Sequence, residues 1–136
     1  MRGLALGMLL MAALSLAACA EPVTTRQDLA TMTAVESVAA AARQEVETLE
    51  ATFGRAVSST EVAALRSVLT SQAGIDPKMY EASATAPTDW SEATRVTMRV
   101  AQTKADPLGL PPVFVSMRWR EDGAGWAVVS ISDRPQ

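Results

Sequence analysis

Near residue 94 the repeat of apolar side chains changes from the helical period to the strand period, which confines the chain to helices followed by a sheet. Upstream, Met32, Val35, Ala39, Ala42, Val46, Leu49 and Phe53 recur at alternating spacings of three and four. They form one apolar stripe on a long helix over 28–53, with Asp28 placed to cap its start and Gly54 to take the left-handed position at its end. A second helix is expected over 58–73. Ser58 and Glu61 fit a capping box, Val62, Leu65, Val68 and Leu69 form its apolar face, and Gly74, Ile75 and Pro77 fit its termination. Joined by a short link, the two make an antiparallel helical hairpin. Asp76-Pro77 is suited to open a further short helix through Glu81. Residues 82–91, "ASATAPTDWS", read as loop around an isolated Trp90.

Downstream, three segments alternate with the strand period: "TRVTMRVAQ", "VFVSMRWRE" and "WAVVSIS". The first two are separated by the proline-rich "TKADPLGLPP", and the last two by "EDGAG", whose Asp-Gly is a hairpin signal. A two-residue turn at Asp122-Gly123 places Trp119 opposite Trp126 and Met117 opposite Val128. One face then carries Val96, Met98, Val100, Val113, Val115, Met117, Trp119, Trp126 and Val128, and the helical hairpin should cover it. The other carries Arg95, Arg99, Arg118 and Arg120 beside Phe114, Val129 and Ile131. The expected fold is α+β: a long helix and a second helix as an antiparallel hairpin on a three-stranded antiparallel sheet, all within one domain over 28–136.

The first eighteen residues, "MRGLALGMLLMAALSLAA", stand apart. Arg2 gives one positive charge, fourteen of the eighteen are hydrophobic, and the run ends in small residues, the make-up of a signal peptide. Its uncharged run over 3–18 falls short of the roughly 20 residues that span a bilayer. Leu16-Ala17-Ala18-Cys19 resembles the lipobox of bacterial lipoprotein precursors: an aliphatic residue, two small residues, then cysteine. That resemblance implies diacylglyceryl transfer to the Cys19 thiol, cleavage before it and acylation of the new amino group. The mature chain would be 19–136, with 19–27 as a lipidated tether. By the same resemblance Ala20, where an aspartate would favour inner-membrane retention, implies the outer membrane, facing the periplasm. The segment "MRWREDGAGWAVVSIS" resembles the closing strands of nuclear transport factor 2-like domains, which implies helices packed on a curved antiparallel sheet and carries over no functional residue.

Composition narrows the chemistry. There is no histidine, and Cys19 is the only cysteine. Histidine-based triads, Cys-His nucleophiles and zinc sites built on those residues are therefore outside the reach of the mature domain. No cofactor or metal site is expected. Residues 19–92 hold eleven acids and five bases, whereas 93–136 hold six bases and four acids. That basic excess is too small for a nucleic-acid footprint.

Three function classes follow. Arginines beside an apolar patch suit two-point contacts with carboxylate or phosphate, so Arg95, Arg99, Arg118, Arg120 and Phe114 form a candidate docking face for an envelope protein or an anionic envelope component. The same arginines also fit the solvated face of a half-buried sheet. A carboxylate-based hydrolase would draw on Asp76, Glu81, Asp89 and Glu92 around Trp90, though their spacing singles out no pair. A structural protein would assemble through the long helix. The leading expectation is a non-catalytic, lipid-anchored accessory or binding module.

Overall fold

The computed structural model describes residues 25–69, 76–103 and 110–135. Three helices, α1 (Arg26–Arg43), α2 (Val46–Phe53) and α3 (Ser59–Leu69), precede a 3₁₀ turn at Pro77–Met79 and four strands. The strands are β1 (Tyr80–Ala84), β2 (Arg95–Gln102), β3 (Val113–Trp119) and β4 (Trp126–Ser132), antiparallel in the order β1-β2-β3-β4. The α+β class holds, with helices covering one face of the sheet. Among the described residues it is built from three helices rather than two and four strands rather than three.

The long helix expected over 28–53 is broken. Thr25, not Asp28, caps α1: its hydroxyl accepts from the Asp28 amide at 3.1 Å, and the Asp28 carboxylate accepts from the Thr25 amide at 3.2 Å. The break falls at Gln44, which sits in the left-handed region at φ 59, with the Glu45 amide donating back to the Ala40 carbonyl at 2.9 Å. The new direction lets α2 bury Leu49, Thr52 and Phe53. The apolar stripe divides accordingly. Met32 is 61% exposed and Val46 is also exposed, whereas the buried face of α1 runs through Ala30, Ala34, Ser37, Val38 and Ala41. These small side chains let α1 lie close against all four strands. The buried hydroxyls of α1 and α2 are satisfied locally, Ser37 donating to the Ala34 carbonyl at 2.9 Å and Thr52 to the Leu49 carbonyl at 2.8 Å.

Helix α3 keeps the Ser58–Glu61 capping box, with the Glu61 amide donating to Ser58 Oγ and the Ser58 amide to the Glu61 carboxylate. It buries Leu69 fully and rests Val62 and Leu65 against the core. Its expected end at Gly74 and Ile75 lies outside the described residues, as do Cys19 and the leader.

The fourth strand arises where a helix start and a loop were expected. Asp76 caps only the short 3₁₀ turn, accepting from the Lys78 amide at 3.0 Å, and the chain then pairs with β2 from Tyr80↔Gln102 to Ala84↔Met98. "YEASA" is poor in the β-branched residues typical of strands, so it is held by its ladder rather than by propensity.

In the last hairpin Trp119↔Trp126 and Met117↔Val128 pair as expected. The connecting loop is longer than two residues: the Arg120 amide donates to the Gly125 carbonyl at 2.9 Å, enclosing Glu121–Ala124, with Gly123 at φ 72. A β-bulge then shifts the pairing to Ser116↔Ser130 and Val115↔Ile131. Ile131 therefore turns into the core, against its expected place among the arginines, while Val129 keeps its expected outward place at 53% exposure. No helix among the described residues is long and apolar enough to cross a membrane.

Candidate functional site

The face of the sheet away from the helices is organised in cross-strand rows. Arg95 of β2 stands opposite Arg118 of β3. The next outward-facing row is all hydroxyl: Thr97, Ser116 and Ser130, with Thr97 Oγ1 and Ser116 Oγ 3.2 Å apart. The third row is Ser83, Arg99, Phe114 and Ser132. Arg95 and Arg99 are four residue steps apart along β2, about 13 Å at strand rise. A hydroxyl ladder thus lies between two positions of positive charge. Hydroxyls donate to the same oxygen-rich anions that guanidinium groups recognise.

Arg95, Arg99 and Arg118 are all exposed, and none has an ion-pair or hydrogen-bond partner for its guanidinium among the described residues. Like charges directly opposite on a ladder are destabilising. Arg95 and Arg118 occupy that relationship, and no carboxylate among the described residues is in ion-pair contact with either.

The segment 85–94 rises beside this row and encloses an open groove of ≈ 1000 Å³ with the sheet. Thr85, Thr88, Asp89, Glu92 and Ala93 line one wall. Arg95, Thr97, Ser116, Arg118, Val129 and Ser130 line the other. The segment is held at both ends: the Thr85 amide donates to the Thr97 carbonyl at 3.0 Å, and the Trp119 amide to the Thr94 carbonyl at 2.8 Å. Between them Asp89 folds the chain on itself, its carboxylate accepting from the Ser91 amide at 3.2 Å and from Ser91 Oγ at 2.7 Å.

Behind the groove the three tryptophans meet. Trp126 is buried, with Trp119 at 5.1 Å and Trp90 at 6.3 Å in edge-on contacts. Arg26, the first residue of α1, clamps this cluster. Its guanidinium lies 4.4 Å from the Trp119 ring centre, and Nη1 donates to the Ala93 carbonyl at 2.7 Å. Its carbonyl accepts from Trp126 Nε1 at 2.9 Å. Trp90 is thus a support of the 85–94 wall.

Of the residues singled out in the sequence, Arg95, Arg99 and Arg118 come together on the open face with Phe114, which is half-buried. Arg120 does not join them. It is turned to α2, where Nη2 donates to the Ala51 carbonyl at 2.7 Å and the guanidinium lies against Gly54. It serves the helix C-terminus, where carbonyls are unpaired and positive charge is favoured. The four candidate carboxylates separate. Asp76 caps the 3₁₀ turn, Glu81 sits on β1, and only Asp89 and Glu92 reach the groove. Among the described residues no three acidic or sulfur ligands converge as a metal site would require.

The hydroxyl row was not singled out, though it was readable: Arg95-x-Thr97-x-Arg99 and Ser116-x-Arg118 repeat one pattern on adjacent strands. Val129 lies on this face as the alternation placed it, whereas the inward turn of Ile131 depends on a bulge that no residue type announces. Comparison with family models, with curated proteins and with solved structures returns no match for this chain.

Proposed function

We propose that the mature chain is a lipid-anchored, non-catalytic binding module of the bacterial envelope, whose open sheet face docks an anionic envelope component. The lipobox-like Leu16-Ala17-Ala18-Cys19 supports the anchor and the address. Two or more acyl chains give stable attachment where one gives only marginal binding. The observation that carries the docking face is the Arg95–Arg118 row, two guanidinium groups held opposite each other with no ion-pair contact among the described residues and bordered by hydroxyls. An anion inserted there removes the repulsion and gains two-point hydrogen bonds.

The anchor is tested by the intact mass of the mature protein, which should begin at an acylated Cys19. The docking face is tested in cells with a photo-crosslinking residue at Phe114. A discrete adduct that disappears in Arg95→Glu/Arg118→Glu, with the fold retained, supports it. An adduct pattern indifferent to that double change rejects it.

A further inference from the structure

The chain enters the domain at the same end of the sheet as the arginine pair. Thr25 caps α1 and Arg26 opens it, and Arg26 is fixed to Ala93, Trp119 and Trp126 by the contacts above. Ala93 lines the groove, two residues from Arg95. Six residue steps separate Cys19 from Thr25. If fully extended they cover about 20 Å, so an acylated Cys19 keeps this end of the domain within that distance of the bilayer surface.

The geometry points to the phosphate of an anionic membrane phospholipid as the group held between Arg95 and Arg118. This deepens the anionic-partner reading and rests on it and on acylation at Cys19. Two features favour a lipid headgroup over an acidic protein segment. The groove is amphiphilic: Val129, 53% exposed, and Ala86 and Pro87 line it beside the two arginines, which suits a phosphate joined to an apolar glycerol ester. Proximity is the second feature, because the tether holds the groove near headgroups at high local concentration, where a weak site is occupied. Thr97 and Ser116 add hydroxyls at the floor of the groove.

The test uses the full lipoprotein, processed in cells and purified in maltoside micelles, which contain no phosphate. Phenylglyoxal modification is followed arginine by arginine by peptide mass. On preformed phosphatidylglycerol vesicles, Arg95 and Arg118 should be modified several-fold more slowly than in micelles, with Arg99 and Arg134 changing less. In Arg118→Gln, Arg95 should regain its micelle reactivity on the same vesicles, which simple shielding by a nearby bilayer does not produce. Equal rates on vesicles and in micelles overturn the proposal, as does equal slowing by inorganic phosphate at the same phosphorus concentration. Slowing by soluble polyglutamate without slowing by vesicles overturns the lipid assignment and leaves the anionic-partner reading standing. Slowing by neither overturns both, and a mature chain without acyl mass overturns the tether argument on its own.

Discussion

Arg95 and Arg118 stand directly opposite each other across the β2–β3 ladder, and neither has an ion-pair partner among the described residues. A row kept for stability alone would place a carboxylate opposite one of them. Arg118→Glu does so, exchanging a repulsive cross-strand pair for an attractive one. The variant should be more stable by about 0.5 kcal/mol, the usual scale of such pairs, read as a higher denaturant midpoint with an unchanged slope. The same variant should lose the Phe114-centred crosslink. Stability gained together with docking lost marks a row that serves a partner. Loss of both would mark the arginines as part of the fold.

Arg120 came from the same sequence pattern but has a different role. Its guanidinium donates to the Ala51 carbonyl near the C-terminus of α2. Arg120→Met keeps most of the side-chain bulk and removes the charged hydrogen bond, so it should lower stability by about 1–2 kcal/mol. Because Arg120 is turned away from the groove, crosslinking at Phe114 should persist. Chemical denaturation and crosslinking on one preparation separate the two roles.

Gly54 and Gly123 share a left-handed backbone, at φ 69 and φ 72, but not their surroundings. A Cβ at Gly54 would lie 3.4 Å from Arg120 Nη2, whereas at Gly123 it meets nothing within 4 Å. Alanine at either position carries the left-handed penalty of about 1–2 kcal/mol. Gly54→Ala should cost more, because the guanidinium that serves α2 must shift. Gln44 holds the same conformation with a side chain in place, so Gln44→Gly should be neutral or stabilising, glycine being the usual residue at a left-handed helix end. Thermal midpoints of the three variants should rank Gln44→Gly above Gly123→Ala above Gly54→Ala.

What the sequence could convey depended on whether a feature was set by local pattern or by packing. The strand repeat of β2 and β3 placed Val96, Met98, Val100, Val115 and Met117 in the core and their arginines outside, because a half-buried sheet enforces alternation residue by residue. The kink after Arg43 was not legible. Arg43, Gln44 and Glu45 are ordinary helix residues, and the bend goes with the burial of Leu49 and Phe53 on α2 rather than with any local helix breaker. β1 was hidden for a related reason: Tyr80, Ala82 and Ala84 alternate too faintly to register, and the strand forms because β2 offers an edge. The bulge at Val129 set the limit for the site. One extra residue moved Ile131 into the core, which no local signal in "WAVVSIS" distinguishes, while Val129 stayed on the open face where strand alternation put it.

Tyr80 begins β1 with its ring buried, and burial pushes its hydroxyl up to about 12, partly countered by the positive charge of Arg43. The folded state therefore holds the phenolic proton more tightly than the unfolded chain, whose tyrosine titrates near pH 10. The resulting contribution to stability is complete below pH 10 and falls as pH rises toward 12, because the unfolded state releases the proton first. Stability measured by denaturant at a series of alkaline pH values should decline across that window. In Tyr80→Phe the decline should be smaller, since no ionisable group remains at that position. An equal decline in both proteins would place the alkaline sensitivity elsewhere, among the arginine and lysine contacts of the surface.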